Sequence, residues 1–166
     1  MTEAAIVAPA PAPAPDAPNI VALELLGSGL TYSLGYERLF RAWSNSTIGI
    51  RAGGSFFTYA VNDSAGSGNL TILTFPLVAS QYFGRGPHKL VVGLGATFLY
   101  VNASSDSSGV TYSSDSSGFG VAATGVLGWR YVPRDGGPAF GVAFTPMVRT
   151  HKGFLPWGGA NVGYAF

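Results

Sequence analysis

Apolar side chains alternate with small or polar ones along almost the whole chain after residue 18. Between residues 89 and 102, for example, Val92 and Leu94 occupy one face while Gly93 and Gly95 occupy the other. A period of two with unlike faces is typical of a β-strand. Clusters of glycine, serine, aspartate or proline separate the alternating segments. The predicted strands are residues 20–26, 30–40, 47–59, 70–83, 89–102, 119–132, 139–150 and 154–166.

The segments predict an all-β fold, an eight-stranded antiparallel up-and-down transmembrane β-barrel. Bulky apolar side chains share one face and small or polar ones the other, as expected for a barrel with lipid outside. Three short turns, each with an arginine (Arg41, Arg85 and Arg134), alternate with longer connections, and this asymmetry is typical of periplasmic turns and outer loops. The first hairpin, at residues 27–29, is short for the outer side, and Pro76 interrupts the fourth strand.

Composition supports the same class. Charged residues are 10% of the 166, against about 25% in an average soluble domain, and 24 residues are glycine. The net charge of +1 offers no basic surface for nucleic acid. The absence of cysteine excludes disulfides and thiolate chemistry.

The chain begins with a different composition. Alternating alanine and proline over residues 4–18 favours an extended polyproline II conformation and cannot enter the interior of a sheet. We therefore divide the chain into a disordered Pro/Ala-rich periplasmic tail, residues 1–18, and an outer-membrane β-barrel domain, residues 19–166. The start lacks the basic and apolar regions of an export signal, so we expect that signal to have been removed.

Five charged residues fall on the face predicted to point inward. A charge in a low-dielectric interior requires a partner, and an eight-stranded barrel has room for little beyond its own side chains. We therefore predict an interior ion-pair network, with Glu37 and Arg51 paired on adjacent strands and Arg130 nearby, in preference to a gated conduction path. The predicted members are Glu24, Glu37, Arg51, Arg130 and Arg149.

Aromatic residues cluster towards the two ends of the predicted strands. Two aromatic belts at the lipid–water boundaries are expected of a barrel in a bilayer. The alternative is that these residues form the core of a soluble β-sandwich, but the opposite face is too small and polar for a hydrated protein surface. The predicted girdle consists of Trp43, Tyr59, Tyr82, Tyr100, Trp129, Tyr131, Trp157 and Tyr164.

The sequence offers no catalytic set, and we predict no enzyme activity, cofactor or metal site. His88 and His151 have no serine or acidic partner at a spacing that suggests a nucleophile and base. The sequence Ser-Ser-Asp-Ser-Ser-Gly occurs twice within residues 103–118, which predicts a polar loop or an extended hairpin there. Its Asp106 and Asp115 lack the spacing and the closing glutamate of a calcium loop.

The last strand carries a recognisable ending. Val162, Tyr164 and Phe166 alternate up to the terminal residue, which resembles the C-terminal assembly signal of Gram-negative outer-membrane β-barrels. The chain also resembles an uncharacterised family of small eight-stranded outer-membrane barrels in three stretches, residues 25–38, residues 75–77 and residues 83–95. The resemblance spans roughly residues 20–166. It implies insertion into outer-membrane lipid by the barrel-assembly machinery, but it brings no catalytic residues.

These observations predict a monomeric integral protein of the cell outer membrane with a filled interior. Its role would be structural or would involve surface contact through the outer loops, whose partner the sequence does not identify. Two alternatives stay open. One is a soluble lipocalin-like barrel that binds an apolar ligand inside, which requires apolar residues to point inward. The other is a narrow channel for small solutes.

Overall fold

The computed structural model describes residues 17–43, 46–63, 66–107, 113–149 and 153–166. These residues form ten strands and one short 3-10 helix at Gly27–Gly29. The strands are β1 (Asn19–Leu26), β2 (Tyr32–Trp43), β3 (Ser46–Asp63), β4 (Gly66–Phe83), β5 (His88–Ser107), β6 (Ser113–Tyr131), β7 (Gly137–Phe144), β8 (Met147–Arg149), β9 (Gly153–Leu155) and β10 (Gly158–Ala165).

The strands close into a barrel. Strands β1 to β7 pair antiparallel in chain order, β7 pairs with β10, and β10 pairs with β1. The short strands β8 and β9 continue β7 and β10 towards one end, so each of these two barrel strands is interrupted once. Counted this way the barrel has eight strands, and the predicted fold is confirmed.

Proline explains both interruptions. Pro146 separates β7 from β8, and Pro156 separates β9 from β10. Because proline has no amide hydrogen, it cannot donate to a neighbouring strand. The wall is held across the gap by hydrogen bonds from Thr145 N to Trp157 O (2.7 Å) and from Gly125 N to Pro146 O (2.9 Å).

Pro76 interrupts one ladder without ending its strand. β4 continues through Pro76, and its pairing with β5 is unbroken, with Pro76 opposite Thr97. The β3–β4 pairing instead skips from Ala52 to Ser55. The missing donor of the proline therefore faces Gly53 and Gly54 of β3, where the pairing is interrupted without a change of register.

Large apolar side chains cover the outside of the barrel, and polar ones fill the inside. On β5, Leu94 is 76% exposed while Thr97 is fully buried. The same alternation holds on β2, where Leu34 and Tyr36 are exposed and Glu37 is buried. The predicted assignment of faces is confirmed for these strands. A lipocalin-like apolar interior requires the opposite arrangement, so the structure removes that alternative.

The central strands are far longer than a bilayer requires. β3, β4, β5 and β6 contain 18, 18, 20 and 19 residues, whereas about 9–11 are enough to span. Residues 61–68, predicted to be a polar loop, are largely paired as strand. Residues 103–107 and 113–118 form the predicted extended hairpin, in which Ser104 lies opposite Asp115 and Asp106 opposite Ser113. Strand pairing therefore continues beyond the predicted span.

We call the end of the barrel at which β1 begins and β2, β4, β6 and β10 end the turn end, and the opposite end the hairpin end. A cluster of small and apolar side chains fills the lumen at the turn end. It consists of Ala17, Ile20, Ala22, Leu39, Tyr82, Val91, Val132, Ala139 and Ala165.

Ala17 and Pro18, predicted to belong to the tail, contact the barrel, and Leu39 N donates to Pro18 O (2.7 Å). The remaining predicted tail, residues 1–16, lies outside the described residues. None of the helices in the described ranges is long and apolar enough to cross a membrane.

Candidate functional site

The first polar layer above the turn-end cluster is built around Glu37. The Arg130 Nη1 atom lies 2.5 Å from Glu37 Oε2, and Tyr82 Oη donates to Glu37 Oε1 at 2.6 Å. Arg130 Nη1 also donates to Tyr82 Oη at 2.8 Å. All three residues are buried. Gly49 makes room for them, because a Cβ at that position would overlap the Glu37 carboxylate.

A second polar layer lies nearer the hairpin end and is built around Glu24. Arg51 Nη2 lies 3.2 Å from Glu24 Oε1 and donates to Ser28 Oγ at 2.7 Å. The Ser28 hydroxyl in turn donates to Glu24 Oε2 at 2.7 Å, and Ser33 donates to the same oxygen at 3.3 Å. Each acidic side chain of the interior therefore has one arginine and further hydroxyl donors. This arrangement satisfies buried charges as physical chemistry requires.

The interior pairs differ from the predicted ones in two respects. Glu37 and Arg51 do lie opposite each other on adjacent strands, but Arg51 turns to Glu24, and Glu37 binds Arg130 across the lumen. Arg149 is exposed and lies over Gly120 near the hairpin end, without an ion pair to any carboxylate in the described ranges. Its predicted membership of the interior network is wrong, because β8 places it beyond the filled part of the lumen.

A belt of hydroxyl groups forms the third layer. Its members lie at inward positions on successive barrel strands: Ser55, Thr74, Thr97, Thr124 and Thr145. Thr97 and Thr124 share a hydrogen bond of 2.9 Å, and Ser55 and Thr74 share one of 2.6 Å. Their inward direction follows from the sequence pattern, but their mutual contacts do not.

The first hairpin turn folds into the lumen and rests on this belt. Thr97 donates its hydroxyl to Ser28 O at 2.9 Å, and Thr74 donates to Gly29 O at 3.1 Å. Ser28 is fully buried. Leu26 and Leu30, which flank the turn, both have positive φ (61° and 70°), a conformation that costs energy for a residue with a side chain. The sequence predicted a short turn here but not that it would plug the barrel.

A small cavity separates the two ion-pair layers. Its volume is about 30 Å³, and its lining includes both glutamates and both arginines of the interior together with Asn161. Two nitrogen atoms of Arg130, Nε and Nη2, and the Oδ1 atom of Asn161 are buried and have no hydrogen-bond partner among the described residues. The volume holds one or two water molecules, which donate and accept and so match this mixture of donors and acceptors. We expect ordered water here.

The hydroxyl contacts to the inward turn lead to a stability prediction. Thr97→Val keeps the side-chain shape but leaves the buried carbonyl oxygen of Ser28 without its donor. We expect the free energy of unfolding to fall by about 1–3 kcal/mol. Urea unfolding in lipid vesicles measures it, with Thr58→Val as the control, because Thr58 is exposed and shares a long contact of 3.4 Å with Thr71. Equal effects of the two substitutions would contradict a stabilising role for the turn contact.

The structure places most of the predicted girdle on the outside. Tyr59, Tyr100, Trp129 and Tyr164 are 38–58% exposed, and Tyr131 is partly exposed. The side chain of Trp43 lies outside the described residues. Trp157 is only partly exposed, and its indole nitrogen is buried without a partner in the described part of the chain.

Tyr82 does not belong to the girdle. It is 3% exposed and its hydroxyl lies between Glu37 and Arg130, so its predicted role is wrong. The cause is the register of β4, where Phe75 and Leu77 face outward and even-numbered residues therefore face inward. Pro76 had obscured that register in the sequence.

Other candidate residues are placed as follows. Val162, Tyr164 and Phe166 share the outward face at the end of the chain and are 57%, 58% and 52% exposed, and their role as an assembly signal stays a prediction. His88 stacks on Trp129 at 5.6 Å on the outside of the barrel. His151 lies outside the described residues. Within the parts of the chain that the structure describes, no three potential ligands gather to hold a metal ion.

Comparison with known proteins adds the fold class. No family model matches the chain, and no curated protein matches it. The N-terminal β-barrel domain of Pseudomonas aeruginosa OprF matches with a TM-score of 0.50 and 16% identity, over 89% of this chain and 95% of that one. Ail, the attachment invasion locus protein of Yersinia pestis, matches with a TM-score of 0.52 and 15% identity, over 89% and 93%. This protein therefore has the closed fold of the small eight-stranded β-barrels of Gram-negative outer membranes.

Proposed function

We propose that this protein is a monomeric integral protein of the outer membrane whose filled barrel anchors a rigid sheet for contact with other surfaces. The observation that carries the proposal is the length of β3 to β6, each of which is 18–20 residues long. About 9–11 residues are needed to cross the bilayer, so nearly half of each strand remains for a structure outside it. Loops and extensions on a rigid scaffold commonly carry the function of such proteins.

The interior supports an anchoring role over conduction. Two ion-pair layers, the hydroxyl belt and the inward turn succeed one another along the lumen, and a cluster of small and apolar side chains fills its turn end. Eight strands enclose a space that side chains can fill, whereas water-filled channels generally need more strands. We therefore expect no measurable single-channel conductance from the intact protein in planar bilayers.

Surface contact also agrees with the name of one structural neighbour, the attachment invasion locus protein. The parts of β3 to β6 that extend beyond the bilayer lie on the side opposite the short arginine-bearing turns. We assign those turns, together with residues 1–18, to the periplasm. The outward C-terminal face of Val162, Tyr164 and Phe166 is the segment that we propose the barrel-assembly machinery recognises.

A shortened variant tests the proposal. Because Tyr59 lies opposite Leu70 and Tyr100 opposite Phe119, Asn-Gly can replace residues 60–69 and residues 101–118 and join each pair as a two-residue hairpin. Cells of a Gram-negative host that display the intact protein should attach to wells coated with cultured cells, and cells with the shortened variant should attach no better than the empty host.

The barrel itself is monitored in the same samples. A heat-dependent shift in gel mobility in SDS, seen after refolding into detergent but not in plain buffer, reports a folded lipid-solvated barrel. If both proteins show the shift and attach equally, the anchored sheet is not the contact surface. A folded, soluble monomer in plain buffer would instead contradict the membrane location.

A further inference from the structure

Basic side chains gather on two neighbouring connections at the turn end. Arg85 lies between β4 and β5, and Arg134 lies between β6 and β7, which are adjacent because β5 pairs with β6. Both arginines are exposed, and Arg134 Nη2 donates to the backbone oxygen of Arg85. Lys89 stands beside them at the start of β5, with its ammonium 2.5 Å from Gly84 O. Three cationic residues therefore share one side of the rim.

Their mutual electrostatics are unfavourable. The positive charge of Arg134 acts against that of Lys89, which is itself partly buried. Neither Lys89 nor Arg134 forms an ion pair with a carboxylate in the described ranges, although Asp135 follows Arg134 in the turn. The interior arginines, in contrast, each bind a glutamate. A concentration of like charge of this kind attracts an anion from outside the protein.

A ledge of aromatic rings lies on the outside of the barrel where β5, β6 and β7 reach the same side of the rim, whereas Lys89, opposite the buried Arg130, faces the lumen side. Tyr131 stacks on Phe140 with ring centres 5.0 Å apart, and His88 meets the edge of Tyr131 at 5.3 Å. Trp129 contacts His88 at 5.6 Å and Phe140 at 5.9 Å. The rings come from three adjacent strands and belong to the face that carries the apolar residues Leu90 and Val142, both more than 50% exposed. Aromatic rings are favoured at the headgroup level of a bilayer.

We propose that this rim patch, formed by Arg85, Arg134 and the rings of His88, Trp129, Tyr131 and Phe140, binds the phosphate headgroup of an anionic phospholipid in the leaflet at the turn end, with Lys89 adding positive charge from the lumen side. The phosphate lies against the two guanidinium groups, which suit its oxygens. The glycerol and upper acyl chains lie on the aromatic ledge. A free phosphate would use only the cations, so the adjoining rings favour a lipid. The inference rests on the proposed membrane location.

The opposite side of the same rim provides a matched control. Arg38 and Arg41 belong to β2, which lies four strands from β6 around the barrel. Arg38 is exposed and donates to Asn19 Oδ1 at 2.5 Å. The double variant R38Q/R41Q removes the same charge from the turn end as R85Q/R134Q does. Only the second double variant alters the rim patch.

Native mass spectrometry tests the proposal. The protein is refolded in detergent micelles with equal amounts of phosphatidylglycerol and phosphatidylcholine that carry the same acyl chains. The intact protein and R38Q/R41Q should retain phosphatidylglycerol in preference to phosphatidylcholine, and R85Q/R134Q should retain the two equally. Inorganic phosphate, added as a competitor at millimolar concentration, should not displace the lipid.

Each outcome of this experiment either supports or overturns the lipid-binding site. Equal retention of the two lipids by the intact protein, or the same loss in both double variants, overturns the site. Displacement by inorganic phosphate shows an anion site that does not select lipid, which also overturns the proposal. The heat-dependent gel shift separates these results from failure of the membrane assignment, because an absent shift in detergent would remove both proposals together.

Discussion

Glu37→Gln should lower the free energy of unfolding by about 3–5 kcal/mol, the cost of leaving one charge of a buried pair without its partner. The substitution keeps an oxygen that can accept from Tyr82 Oη, so the main loss is the negative charge that faces Arg130 at 2.5 Å. Arg130 is 4% exposed and cannot turn to bulk water. Equilibrium unfolding in urea, with the protein in lipid vesicles, measures the change.

The second ion pair provides the comparison. Glu24→Gln should cost less than Glu37→Gln, because the Arg51 side chain is 13% exposed and keeps a hydrogen bond to Ser28. The double variant Glu37→Gln/Arg130→Met removes both charges of the first pair and should recover much of the lost stability, since a neutral replacement for a buried pair is often tolerated. A double variant as unstable as the single one would mean that lost packing, not the uncompensated charge, causes the destabilisation.

Leu94→Arg should destabilise the barrel in lipid by about 2–4 kcal/mol, as expected for a positive charge at the bilayer midplane. Leu94 is 76% exposed on the outer face of β5 and lies between Leu90, at the level of Trp129, and the outer aromatic residue Tyr100. In water the same substitution at such an exposed position would have little effect. The expected loss therefore depends on lipid as the solvent. The measurement is the urea midpoint in vesicles.

A second substitution at a different depth in the bilayer provides the control for this prediction. Leu90→Arg places the same side chain on the same face at the aromatic rim, where the cost should fall to about 0–1 kcal/mol. Gly95→Arg is not a suitable comparison, because even a Cβ at Gly95 would overlap the backbone oxygen of Leu77. Similar losses for Leu94→Arg and Leu90→Arg would show that the outer face does not meet a hydrocarbon layer of the expected depth.

The positions of individual side chains show which features were predictable. Thr97, Thr124 and Arg130 were expected inside because each lies on the small or polar face of an alternating segment, and each is buried. Tyr82 was misplaced because the alternation is weak around Pro76, where small and apolar residues occupy both faces. Arg149 was misplaced for a different reason, since alternation specifies the direction of a side chain but not its height along the barrel.

No local pattern in the sequence indicated which side chains pair across the lumen. Glu37 and Arg130 are 93 positions apart in the chain, and Thr97 and Ser28 are 69 positions apart. Cross-strand partners on adjacent strands can be guessed from the register, and that guess led to Glu37 with Arg51. Closure of the barrel brings more distant strands within reach as well, so Glu37 could bind Arg130 while Arg51 was left for Glu24.

The sequence by itself determined the number of strands, the outward face of the strands other than β4 and the inversion of apolar and polar positions that indicates lipid. These features depend on local alternation, which a linear chain displays directly. Only the tertiary structure decided which charges pair, that the turn at Gly27–Gly29 enters the lumen and that the connections carrying Arg85 and Arg134 meet at one side of the rim. Those contacts join residues that are distant in the chain, so no local pattern in the sequence displays them.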